Sequence, residues 1–252
     1  MTVSPTRAKI LAPRLSTYIA CCIIVLLVLA AIAGPWISPH DPDQVELTQR
    51  LRAPDATFLL GTDHLGRDIL SRLIAGTRVS LGSVAITLVV ILGLGITIGG
   101  ISGFIGGRVD QIIMRITDVF LTFPTLVLAL FMIGMLGTGL VNVIIAIALS
   151  HWAWYARIVR GIVLSQLLVL ATLDIGHMML HVSGLSFLGL GVTPPTAEWG
   201  VMISDARQFV WTAPMLIFWP GFALFIAVMA FNILGDALRD RLDPHLRAEH
   251  CH

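Results

Sequence analysis

The sequence predicts an all-α polytopic membrane protein with six transmembrane helices and both termini in the cytoplasm. Three observations predict it. First, 56% of the 252 residues are hydrophobic and only 12% are charged, about half the charged share of a soluble domain. Second, six apolar runs approach or exceed the length that a helix needs to cross a bilayer. Third, the basic residues cluster at alternate ends of those runs. The mean hydropathy of +0.89 excludes a soluble globular domain and a disordered chain. A net charge of +1 excludes nucleic-acid binding through a basic face. Cys21, Cys22 and Cys251 cannot make a disulfide framework.

The spans are 15–37, 79–106, 119–137, 140–160, 167–190 and 217–234. The Gly-rich stretch from Gly134 to Gly139 is the turn between the third and fourth. An even number of spans leaves both termini on one side. Arg7, Lys9 and Arg14 precede the first span, and Arg239, Arg241 and Arg247 follow the last. Arg108 and Arg115 fall in the turn after span two, and Arg157 and Arg160 close span four. These basic ends are predicted to face the cytoplasm. Ala31-Ile32-Ala33 offers an alternative for the first span, because it has the small-residue pattern of a signal-peptidase site; the long apolar run favours an uncleaved helix.

Two units are expected: 1–78, the first span plus an external segment with an interfacial helix, and 79–252, the core of the transmembrane domain. Pro35, Pro39, Pro42 and Pro54 make the first half of the external segment extended. In its second half, Asp63 with Arg67 and Asp68 with Arg72 are i,i+4 pairs with the acid first. Leu65, Ile69 and Leu73 share a face. This pattern predicts an amphipathic helix in the outer interface.

The same stretch reads LGTDxLGRDxxSRLxxGxRxSL, with Gly61, Thr62, Asp63, Gly66, Arg67 and Asp68 as its most distinctive residues. It resembles the N-terminal signature of the second permease in dipeptide/oligopeptide/nickel ABC importers. Gly106-Gly107-Arg108-Val109-Asp110, Phe123-Pro124, the run from Leu185 to Val192 with Pro194-Pro195 and Glu198-Trp199-Gly200, and Phe231-Asn232-Ile233-Leu234-Gly235-Asp236 continue the resemblance in order. It implies a multi-pass subunit of the bacterial inner membrane. A second homologous permease, two ATPase subunits, a periplasmic binding protein and membrane lipid are the implied partners. ATP would be bound by the ATPase subunits and no cofactor by this chain. The sequence agrees that it is not itself an enzyme. It contains no phosphate-binding Gly-x-x-x-x-Gly-Lys run, and its sole lysine is Lys9.

Within that family, two stretches resemble the nickel permease more than its peptide relatives: His151-Trp152-Ala153-Trp154-Tyr155-Ala156-Arg157, and the run from Ala171 to His181. The tail with His245, His250 and His252 does likewise. Nickel, or a nickel chelate, is then the transported substrate; a dipeptide or oligopeptide is the alternative. Nickel(II) favours imidazole and carboxylate ligands. Asp174, His177 and His181 lie on one helix face at i,i+3 and i,i+4 spacing. Ionisable groups at that depth are costly and commonly line a pathway. With His151 they are the candidate metal-contacting residues. The competing reading is that the histidines hydrogen-bond neighbouring helices as packing contacts. Gly93, Gly95, Gly99, Gly100, Gly103, Gly106 and Gly107 are expected to allow close helix approach, and Asp118 is expected to pair with Arg115 or a partner subunit.

One feature departs from the family: a polar cytoplasmic loop that couples the permease to its ATPase is expected between Arg160 and Leu167. Only Gly161-Ile162-Val163-Leu164-Ser165-Gln166 stands there, which is poor turn chemistry. A deletion of that loop raises a further alternative, a membrane scaffold that does not transport.

Overall fold

The computed structural model describes residues 5–161 and 164–242, and the described residues are almost entirely helical. The helices are α1 (Pro5–Ile37), α2 (Ile69–Ile105), α3 (Gly107–Thr122), α4 (Thr125–Leu136), α5 (Leu140–Gly161), α6 (Leu164–Phe187), α7 (Trp199–Ala206) and α8 (Met215–Leu242). Five are long and apolar enough to cross a membrane, and α3 with α4 forms a sixth, broken span bent by 92°. The break falls at Phe123-Pro124, where proline removes an N–H and the preceding residue is extended. The His-rich tail at 243–252 lies outside the described residues.

The core is centred on α2 and α5, with α6, α7 and α8 packed beside them. Val84, Leu88, Ile91, Val143, Ile147, Tyr155, Met178, Met179 and Trp199 form one cluster. A Cβ on Gly95 would stand 2.5 Å from the Cβ of Tyr155, and one on Gly99 would strike the Ala156 backbone. Gly103 also faces α5, at Arg160. Three of the span-two glycines thus serve the close approach expected of them, whereas Gly93, Gly100, Gly106 and Gly107 face open space. By contrast α1 is peripheral, with 6% of its most apolar window buried. Its exposed Val25, Leu26, Leu29 and Ile32 suit a lipid-facing helix.

The segment between α1 and α2 corrects the expected interfacial helix. Helix α2 begins only at Ile69, with Asp68 as its N-cap: the Asp68 carboxyl accepts from the Ser71 N–H (3.0 Å) and hydroxyl (2.6 Å). Residues 50–68 form a folded loop in which Gly61 and Gly66 take φ of 79° and 77°, values that favour glycine. The Arg67 Nε donates to Asp63 at 2.6 Å as the spacing suggested, but both residues are buried. Arg72 does not pair with Asp68. Its guanidinium reaches Asp43 (3.4 Å), Asp63 (3.7 Å) and the carbonyls of Pro42 and Pro195 (3.1 and 3.2 Å). The cap uses only the Asp68 Oδ2; the Asp68 Oδ1 and the Arg72 Nη2 are both buried without a hydrogen-bond partner among the described residues.

At the opposite end, Arg157 binds Asp118 and Arg160 binds Asp110 (2.5 Å), which ties α3 to the last turns of α5. Asp118 therefore pairs across helices rather than with Arg115.

Candidate functional site

Helices α5 and α6 run antiparallel, since His151 meets His181 and Tyr155 meets Asp174. The connection at 162–163, where the odd join was expected, lies outside the described residues. Between these helices and the α3–α4 break is a cavity of about 380 Å³, lined by Leu121, Thr125, Ser150, His151, Trp154, Leu170, Leu173, Asp174, His177 and His181. All four sequence-chosen residues line this one cavity. On α6 the spacing of 174, 177 and 181 alone suffices to aim them together. His151 joins them only because the hairpin sets it opposite.

The rings of His151 and His181 lie 5.4 Å apart, edge to face. The His181 Nδ1 is 2.8 Å from the His177 carbonyl oxygen. A carbonyl only accepts, so Nδ1 carries the proton and Nε2 presents the lone pair. The His151 Nδ1 is buried without a hydrogen-bond partner among the described residues. A buried polar atom in that state needs a water, an ion or a ligand. The Tyr155 hydroxyl donates to Asp174 at 2.9 Å from a fully buried ring, and so fixes one carboxyl oxygen. Among the described residues no three His, Cys, Asp or Glu side chains converge closely enough to hold a metal ion. The arrangement can offer one or two ligands to a passing cation that keeps part of its own shell.

Sequence reasoning missed Tyr155 as the partner of Asp174, although it stands one turn from His151. It named Glu198 within a family motif but missed its role in joining helices. That side chain is fully buried, and its Oε1 accepts from Ser80 (3.1 Å) and Ser183 (2.8 Å). Its Oε2 accepts from the Val201 N–H at 3.0 Å. One carboxyl group thereby joins α2, α6 and α7. His64 stacks on Phe209 at 5.5 Å and His40 contacts Asp68 at 3.4 Å; neither lines the cavity.

Residues 95–167 and 161–248 match the family of binding-protein-dependent transport system inner membrane components, and 16–54 match the N-terminal TM domain of oligopeptide transport permease C. The chain is 59% identical to the nickel transport system permease protein NikC of Escherichia coli K12, covering 96% of this chain and 99% of that protein. It is 37% identical to the di/tripeptide transport system permease protein DppC of Pseudomonas aeruginosa (89% and 86% covered). It is 38% identical to the metal-staphylopine import system permease protein CntC of Staphylococcus aureus (92% and 91% covered). The NikC alignment spans 273 positions, but 96% of 252 residues is about 242, so about 31 positions have no residue here. The two matches to the transport-component family meet at 161–167. With its helical architecture and near full-length matches, the chain belongs to the binding-protein-dependent transport system inner membrane components, among the nickel and peptide permeases of ABC importers.

Proposed function

We propose that this chain is the permease subunit of a nickel ABC importer, moving nickel or a nickel chelate into the cytoplasm by alternating access. The observation that carries this reading is the 59% identity over nearly the whole chain to a nickel permease, against 37% to a peptide permease. The chemistry of the cavity supports it: three imidazoles and a carboxyl suit nickel(II) better than a peptide's amide groups. Their loose spacing suits cargo that must leave again. His151, Asp174, His177 and His181 are the proposed route. The basic ends at Arg108, Arg115, Arg157 and Arg160 support cytoplasmic termini. A second permease, two ATPase subunits and a periplasmic nickel-binding protein complete the assembly, with ATP hydrolysed by the ATPase subunits.

Nickel uptake into vesicles holding the complete complex tests it. The paired substitution His177→Ala with His181→Ala is expected to lower ATP-dependent uptake severalfold at limiting nickel and much less at saturating nickel. Dipeptides are expected not to compete. Uptake that ignores both substitutions sinks the histidine route, and competition by dipeptides favours the peptide alternative.

A second reading rests on the roughly 31 alignment positions that this chain leaves empty. If they are the cytoplasmic segment that engages the ATPase, the chain is a scaffold that assembles without transporting. Affinity purification from cells that co-produce every subunit separates the two. ATPase recovered with the chain supports import; the second permease recovered alone supports the scaffold.

A further inference from the structure

The hydrogen bond from Tyr155 to Asp174 joins two fixed points. On the α5 side, the Tyr155 ring is fully buried and has no room to swing. A Cβ on Gly95 would stand 2.5 Å from the Tyr155 Cβ, so α2 backs directly onto this residue. The ring of Trp154 meets it edge to face at 5.1 Å. Its hydroxyl has one partner among the described residues, the Asp174 Oδ2 at 2.9 Å. The α6 side is anchored by α8. A Cβ on Gly235 would stand 2.5 Å from the Leu173 Cδ2, and one on Gly176 would stand 3.0 Å from the Asn232 Oδ1. These close contacts flank Asp174 on both sides in sequence. Close packing of this kind leaves little freedom at either end of the bond.

The two carboxyl oxygens of Asp174 therefore differ. Oδ2 is held by the phenol, whereas Oδ1 takes no hydrogen bond among the described residues and is open to the cavity that Asp174 lines. The other unpaired groups there are imidazole nitrogens, the Nε2 of His181 and the Nδ1 of His151. A cation entering the cavity meets nitrogen ligands and a single carboxyl oxygen. Imidazole suits nickel(II), whereas manganese(II) is suited by carboxylate, carbonyl and water oxygens. A carboxyl group with one oxygen engaged elsewhere cannot clasp a cation with both. The phenol thus withholds the ligand that an oxygen-seeking cation would gain from most.

We propose that Tyr155 is a positioning residue for metal selectivity: by holding the Asp174 Oδ2 it presents the carboxyl group to the cavity as a one-oxygen ligand, which favours nickel(II) over oxygen-seeking divalent cations such as manganese(II). Tyr155 does not touch the cation and acts through Asp174. Without the hydroxyl, the carboxyl group is free to turn about its last bond. It then loses its aim for nickel and offers both oxygens to a harder cation. The proposal deepens the reading of this cavity as the nickel route and rests on it.

The test is binding of nickel(II) alone and manganese(II) alone to the purified full chain in detergent. Both are paramagnetic and quench tryptophan fluorescence, and Trp154 lines the cavity. The share of the quench that Trp154→Phe removes belongs to the cavity rather than to the His-rich tail. Tyr155→Phe keeps the ring and deletes the hydroxyl. A hydrogen bond to a charged group is worth about tenfold or more in an equilibrium, so Tyr155→Phe is expected to weaken nickel about tenfold. Manganese is expected to hold its affinity or gain, so the ratio of the two affinities falls about tenfold. In an Asp174→Asn background the same substitution should leave the ratio alone. A ratio unchanged by Tyr155→Phe, whether both affinities fall together or neither does, makes the bond a plain link between helices and overturns the proposal. A Trp154 quench that is absent from the parent, or that survives His177→Ala with His181→Ala, overturns the proposal together with the assignment of this cavity to nickel. Nickel uptake by the complete complex is measured separately, so import can stand where this inference fails.

Discussion

Replacing Arg67 with methionine is expected to destabilise the chain by about 3 kcal/mol and to leave little of it monodisperse in detergent. Arg67 is 2% exposed. It holds Asp63 at 2.6 Å and reaches Asp205 at 3.7 Å. Methionine keeps the volume but strips Asp63 of its main partner. The loss falls at the low end for a broken buried pair because Asp63 keeps the N–H groups of Leu65 (2.8 Å) and residue 67 (3.0 Å), and Arg72 stands 3.7 Å away. Lysine should recover only part, since a point charge cannot serve two carboxyl groups as a planar fork does. The double variant Asp63→Asn with Arg67→Met should be more stable than Arg67→Met alone, because it removes the uncompensated charge. Thermal midpoints in detergent measure all three. A double variant no more stable than the single would show that the pair does not control this loop.

Glu198→Ala is expected to cost about 3 kcal/mol or more. The change leaves the Ser80 and Ser183 hydroxyls and the Val201 N–H without their acceptor, and opens a void where the residue is fully buried. It also unlocks α7, whose first turn is capped by this side chain. Glu198→Gln should fall between, because its amide nitrogen cannot accept from an N–H. Protease cleavage at 188–198, together with the thermal midpoint, separates local loosening of α7 from global unfolding. An alanine variant with the parent's midpoint and cleavage rate would remove Glu198 as the link between the three helices.

The spans were legible because lipid contact imposes a compositional signal that needs no knowledge of neighbours. The break in the third span was marked only by the family resemblance at Phe123-Pro124; the apolar run at 119–137 reads as one continuous span. The charged ladder at 63–72 was only half legible. Its i,i+4 spacing assumed a helix, but the turns at Gly61 and Gly66 fold the first half into a loop, and Arg72 reaches Asp43, Asp63 and the Pro42 and Pro195 carbonyls instead of Asp68. Asp118 failed similarly: its partner Arg157 is 39 residues away, and no local rule finds it. The shared face of Asp174, His177 and His181 followed from helical periodicity. The place of His151 beside them followed from the α5–α6 hairpin, and the role of Glu198 stayed hidden because Ser80 lies 118 residues away. Tertiary partners of buried polar groups leave no periodic trace.

Because α2 and α5 meet through bare backbone at Gly95 and Gly99, neither can slide past the other without driving a side chain into a peptide group. The two helices therefore behave as one stiff lever. Helix α3 lies between two backbone breaks: Gly106 and Gly107, with φ of 64° and 59°, at one end and Phe123-Pro124 at the other. The histidine cavity borders the second joint through Leu121 and Thr125. A change in the angle at that joint would therefore change the width of the cavity.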